Sequence, residues 1–160
     1  MEKIYILCVD DQRDVLLSIA RDLQPLSAWT VLEECESAEE AGGIVEELEA
    51  EGKALGLIVC DHIMPGTVGV DFLTAIEASG RHKHTKKVLI TGQATHADTI
   101  NAINHARIDA YIEKPWQGEQ LRSLCRRLLT EFIFDARMDI DAYKSVADPA
   151  VLLRRMQGRE

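Results

Sequence analysis

The sequence predicts a doubly wound α/β domain: a five-stranded parallel sheet with helices on both faces, followed by a C-terminal helical extension. Three observations lead there. Apolar strand-like runs alternate with helix-like runs along the chain. The strand-like runs are continuously apolar, as in a parallel sheet covered on both sides. And 160 residues, 46% hydrophobic and 28% charged, suit one core with a short appendage.

The first strand is Ile4 to Val9. Val15, Leu16, Ile19, Ala20 and Leu23 then recur at helical spacing, and Pro25 closes that helix. Trp29 to Leu32 is the second strand. Ser37 followed three residues later by Glu40 is a capping-box pattern, and Ile44, Val45 and Leu48 give the next helix one apolar face, although Gly42 and Gly43 lower its propensity. Leu55 to Cys60, the most hydrophobic strand, stops at Asp61. A loop with Pro65 and Gly66 leads to a helix bearing Phe72, Leu73 and Ile76. Val88 to Ile90 is the fourth strand, Thr95 with Asp98 caps a short helix bearing Ile100 and Ile103, and Ala110 to Ile112 is the fifth strand. Leu121, Leu124, Cys125, Leu128, Leu129, Phe132 and Ile133 keep a three-four spacing and predict the clearest helix. The domain is read as residues 1–134. Residues 135–160, with five acids and five bases, are read as a helical tail or linker in which Asp148 and Pro149 start a helix presenting Leu152, Leu153 and Met156.

Lys plus Arg number 18 against 27 Asp plus Glu, a net charge of −9 that disfavours direct binding to nucleic acid or anionic lipid. Nine Glu and no Lys or Arg lie between Glu33 and Glu51, as expected of a solvated acidic helix face. No apolar run approaches the ~20 residues that span a bilayer, and Asp10 and Asp11 interrupt the first apolar stretch, so the expected location is the cytoplasm. Cys8, Cys35, Cys60 and Cys125 fall singly inside apolar segments and read as small buried hydrophobes. His82 and His84 stand in a Lys-rich stretch without a neighbouring carboxylate and read as surface residues.

In this topology the strand ends collect Asp10 and Asp11, Asp61, Thr91 and Lys114 at one mouth, beyond the carboxyl ends of the strands where open α/β sheets bind ligands. Three crowded carboxylates repel one another, so their ionised state calls for a cation, and an all-oxygen site suits Mg²⁺ better than zinc. Lys114 has no lone pair for a metal but can neutralise an anion bound beside it, a role that fits a phosphoryl group. Thr91 can donate its hydroxyl to a phosphoryl oxygen, and Gly92 lets its backbone N–H approach.

With Met64, Pro65 and Gly69 after Asp61, with Tyr111, and with the Lys114 and Pro115 pair, the chain resembles the receiver domain of two-component response regulators, over about residues 3–134. The resemblance implies a flavodoxin-like receiver fold of the chemotaxis type. It implies that Asp61 accepts a phosphoryl group from a sensor histidine kinase or phosphotransfer protein. It also implies Mg²⁺ held by Asp10, Asp11, Asp61 and the backbone carbonyl of Ile63, catalysis by Lys114 and Thr91, a phosphate contact from the Gly92 backbone, and a switch made of Thr91 and Tyr111. That switch would reshape the face of the fourth helix, fifth strand and fifth helix for a downstream output domain or protein. On this reading the chain is not an enzyme beyond its own Mg²⁺-dependent phosphorylation and dephosphorylation.

Ile63 and Gln93 occupy positions that tune water access in this family, Val68 stands where many relatives carry Asp, and Gly92 replaces the commoner Ala. Trp116 reads as packing. The alternatives are a receiver-like interaction module that works without phosphate, and a Mg²⁺-dependent phosphohydrolase of the aspartyl-phosphate type. The hallmark of the latter is two Asp separated by one residue, whereas Asp10 and Asp11 are adjacent. The wide apolar arc of the last core helix, beyond what one sheet face hides, predicts burial against another chain, as a homodimer, or against the tail.

Overall fold

A computed structural model describes residues 1–64, 67–92 and 102–158. Strands β1 (Ile4–Val9), β2 (Thr30–Cys35), β3 (Ala54–Asp61), β6 (Lys86–Thr91) and β7 (Ala110–Glu113) form one parallel sheet in the order β2-β1-β3-β6-β7. Strands β4 (Ile63–Met64) and β5 (Thr67–Val68) make a separate antiparallel hairpin just after Asp61. The helices are α1 (Arg13–Leu23), α2 (Ala38–Ala50), α3 (Gly69–Ala78), α4 (Gly118–Asp135) and α5 (Pro149–Gln157), with a π-helical segment at Ala102–Ala106. Pro65, Gly66, Gln93, Thr95, Asp98 and Ile100 lie outside the described residues, as does the side chain of Ile103.

The apolar strand runs are continuous because alternate residues feed two cores. Ile6, Cys8, Leu57, Val59, Val88 and Ile90 point to the side of α1 and α4. Their neighbours Leu7, Val9, Ile58, Cys60 and Leu89 point to the side of α2 and α3. Gly56 is the extra residue where the β1–β3 register shifts, so that Leu57 pairs with Ile6 and joins the same core.

Local chemistry explains the ends. Ser37 Oγ accepts from the Glu40 N–H at 3.1 Å, and Glu40 Oε2 accepts from the Glu36 N–H at 3.2 Å, so the reciprocal bond reaches one residue further back than the pattern implies. α2 continues through Gly42 and Gly43 because Ala41, Val45 and Leu48 bury beneath it. Pro25 sits inside a short 3₁₀ turn, Gln24–Leu26, that extends α1. β2 starts after Trp29 and runs on to Cys35, and Trp29 itself is buried in the turn before it.

The tail folds back. Ile140, Tyr143 and Val151 enter the core on the α4 side, and the Arg126 guanidinium donates to the carbonyls of Val146 and Ala147. Asp148 caps α5 by accepting from Ala150 N–H and Val151 N–H, while its own N–H donates to the buried Thr130 hydroxyl. Arg154 and Arg155 pair with Glu131, and Arg155 and Lys86 pair with Asp135. The apolar surplus on α4 that predicted a homodimer is thus covered by the chain itself, and that argument for a second copy falls away. Removing residues 136–158 is expected to cost several kcal/mol, since each buried apolar side chain contributes about 1.5–3 kcal/mol. Urea unfolding of both chains measures it.

Candidate functional site

Sheet register builds the site. β1 and β3 are adjacent, and the sheet order reverses between them because β1 leads outward to β2 and β3 leads the other way to β6. Val9 pairs with Cys60, which brings Asp10 and Asp61 side by side one residue later. Asp61 pairs with Ile90, placing Thr91 at the next position, and Thr91 pairs with Glu113, which delivers Lys114. The Lys114 N–H donates to Thr91 O at 2.8 Å.

The carboxylates of Asp10, Asp11 and Asp61 each offer an oxygen within 4.8 Å of the others. Asp10 is fully buried and Asp61 is 6% exposed, whereas Asp11 faces solvent. Asp10 Oδ1 accepts from the Gln12 N–H at 2.8 Å. The Lys114 ammonium donates to Asp10 Oδ2 at 3.2 Å and lies 3.1 Å from Asp61 Oδ1. Burial first, and the Asp10 carboxylate second, push the Asp61 carboxyl above its ordinary pKa, against the pull of Lys114. Burial opposes the Lys114 charge, but Asp61 and Asp10 outweigh it and hold the lysine above its ordinary value. One cation is therefore shared between two buried acids, and the cluster retains acceptor capacity for a further cation.

Thr91 is 1% exposed, and its hydroxyl has no hydrogen-bond partner among the described residues. A buried hydroxyl beside such a cluster is a ready contact for an incoming oxygen. Tyr111 is 48% exposed on the edge strand β7. Gly92 is exposed, and a Cβ built on it meets nothing within 4 Å among the described residues. Ile63 opens the hairpin, its backbone paired with Val68.

Three features escaped the sequence reading. A Cβ on Gly69 would lie 2.0 Å from the Asp61 carbonyl oxygen, so the backbone of α3 presses directly on the acid-bearing residue. Asp22 accepts a hydrogen bond from the Trp116 indole at 2.8 Å. His82 is not a surface residue: its side chain is 10% exposed, with Nε2 3.7 Å from Glu49 Oε2. Burial, the largest influence, depresses its pKa. The cysteines are as expected: all are free and buried, and burial pushes the Cys35 and Cys125 thiols up to about 12. Because the thiolate is the reactive form, the native protein should not react with a chromogenic disulfide such as DTNB, while the urea-unfolded chain reacts at all 4 cysteines.

The chain matches the family described as the response regulator receiver domain over residues 6–126. It is 31% identical over 123 residues to the hydrogenase transcriptional regulatory protein HoxA of Cupriavidus necator, spanning 76% of this chain but 23% of that protein. It is 28% identical over 126 residues to the chemotaxis protein CheY of Pseudomonas aeruginosa, covering 77% of this chain and 94% of CheY. The crystal structure of the signal receiver domain of an HD domain-containing protein from Pseudomonas fluorescens superposes with a TM-score of 0.70 at 25% identity, over 82% of this chain and 98% of that one. A CheY-like receiver domain protein from Methanospirillum hungatei does so with a TM-score of 0.69 at 26% identity, over 84% and 99%.

Proposed function

This chain belongs to the response regulator receiver family of two-component signalling, and on that premise we propose that Asp61 is its phosphoacceptor, in a Mg²⁺-dependent transfer from a sensor histidine kinase or phosphotransfer protein. The observation that carries the reading is the joint placement of three carboxylates, one ammonium and one buried hydroxyl without a partner among the described residues, at the ends of four neighbouring strands. Among the described residues no helix is long and apolar enough to cross a membrane, which suits a cytoplasmic kinase as donor.

Three hard oxygen donors fit Mg²⁺, and Asp10, Asp11, Asp61 and the Ile63 carbonyl would hold it, with Asp10 helping through the metal's water shell. When bound, the ion neutralises charge on the transferring phosphoryl oxygens. An Asp61 carboxylate oxygen attacks phosphorus in line. The bond to the histidine nitrogen breaks, its electron pair returns to the imidazole, and the product is an aspartyl phosphate. Lys114 is already drawn to Asp61 and needs little rearrangement to accompany the developing charge.

Thr91 and Tyr111 then read the product. The buried Thr91 hydroxyl donates to a phosphoryl oxygen, and the half-exposed Tyr111 ring follows inward, reshaping the face of β7 and α4 for an output domain or protein. The test is labelling by acetyl phosphate, a small acyl-phosphate donor that needs no kinase, with Mg²⁺ and with EDTA. Label is expected only with the metal, and label of equal extent in EDTA would refute the reading. Thr91→Ala is expected to be labelled still, since the hydroxyl reads the phosphoryl group after transfer, but to lose most of the amide-shift changes around Tyr111. An unchanged response would remove the switch role.

A further inference from the structure

Resting on that phosphoacceptor reading, we propose that Asp22 and Trp116 are positioning residues, whose mutual hydrogen bond ties the loop carrying Lys114 to α1 and so holds the ammonium beside Asp61. Trp116 stands two residues after Lys114, and its indole N–H donates to Asp22 Oδ2 at 2.8 Å. Between this loop and α1 lies a cleft of about 420 Å³, whose walls include Val15, Ser18, Lys114 and Pro115. On that side the loop lacks close-packed backing, and the indole–carboxylate bond bridges the gap. Besides it, among the described residues, the Trp116 ring packs against the core, and the loop is held by the Lys114 N–H on Thr91 O at 2.8 Å and by the ammonium's own contacts at 3.1 and 3.2 Å.

The placement of Asp22 favours such a tie. A carboxylate in the last turn of α1 opposes that helix's dipole. This one is instead directed at the first residue of α4: a Cβ on Gly118 would fall 2.5 Å from Asp22 Oδ1. There the positive end of a second helix offsets the cost, and glycine lets the carboxylate in. The Asp22 side chain is 12% exposed, so its bond to the indole is sheltered from water. Trp116, read from sequence as packing alone, thus acts through its N–H as well as its ring.

Three variants of the full chain test the pair. Asp22→Ala removes the acceptor, Trp116→Phe keeps a ring without the donor, and Asp22→Asn retains an accepting oxygen. At saturating acetyl phosphate and Mg²⁺ the first two should label about tenfold more slowly, since small misplacements of a catalytic group are costly. Asp22→Asn should recover most of the rate, and Mg²⁺ affinity by calorimetry should match the parent in all three. Nitrogen-15 relaxation, with no phosphoryl donor present, should show the amides of Lys114 and of residues 116–118 and the Trp116 indole ordered in the parent and mobile in Asp22→Ala. Parental rates in both disrupting variants, an equally ordered loop, or a rate loss matched by lost Mg²⁺ affinity would overturn the proposal. If the parent itself takes no label, the phosphoacceptor reading fails, and loop order alone still decides whether the pair holds the loop.

Discussion

Asp61→Asn is expected to take no phosphoryl label at all while remaining folded, and to gain stability relative to the parent as pH rises. The first half follows from the chemistry: a carboxamide oxygen is a far poorer nucleophile than a carboxylate, and the other acids at the mouth are differently placed, with Asp10 fully buried and Asp11 in solvent. The second half follows from the raised pKa of Asp61, caused by burial and then by Asp10. A carboxyl whose folded pKa lies above its unfolded value of 3.8 ionises more readily in the unfolded chain. The parent therefore loses stability as pH climbs from 3.8 through the raised folded value, and the asparagine variant escapes that loss. Urea unfolding at several pH values, without Mg²⁺, measures the difference between the two curves. A difference that shrinks with rising pH would contradict the electrostatics described for the site.

Gly69→Ala should be the most damaging single-methyl change near the site. Its Cβ would lie 2.0 Å from the carbonyl oxygen of Asp61 and 2.9 Å from the carbonyl carbon, a contact with backbone that no rotamer relieves. Either α3 retreats, stretching the 2.7 Å hydrogen bond from Gly69 N–H to His62 O, or the end of β3 moves and takes Asp61 with it. Overpacking of this kind costs about 1–3 kcal/mol or more. A displacement of about 1 Å at a reacting group lowers rates by about a hundredfold. Both losses are expected, in urea unfolding and in the acetyl phosphate labelling rate. Gly43→Ala is the control: a Cβ there meets nothing within 4 Å among the described residues, so the helix should gain about 0.5–1 kcal/mol with labelling unchanged.

The core elements and the site mouth were legible in the sequence because both depend on short-range pattern. Continuous apolar runs marked the strands, and each run's abrupt polar stop marked a strand end, where Asp10, Asp61, Thr91 and Lys114 stand. β6 was read short because Lys86 and Lys87 look unlike strand residues. In the fold each has an acid partner, Asp135 at 2.7 Å and Glu77 at 2.8 Å, and those partners lie on other elements, α4 and α3. The Trp116–Asp22 bond, the back-folded tail and the burial of His82 were hidden for the same reason: each depends on a contact between elements whose pairing no local pattern encodes. The two-residue strands around positions 63–68 are too short for any periodicity to register.

The central claim, that Asp61 receives the phosphoryl group in a metal-dependent transfer, is tested most directly by mapping the modified residue. The parent chain is incubated with acetyl phosphate and Mg²⁺, digested, and its peptides are sequenced by mass spectrometry under conditions that preserve or trap an acyl phosphate. One modification is expected, on the peptide containing Asp61, absent when EDTA replaces the metal. A phosphoryl group on any other residue, or the same modification of Asp61 without a divalent cation, would contradict it.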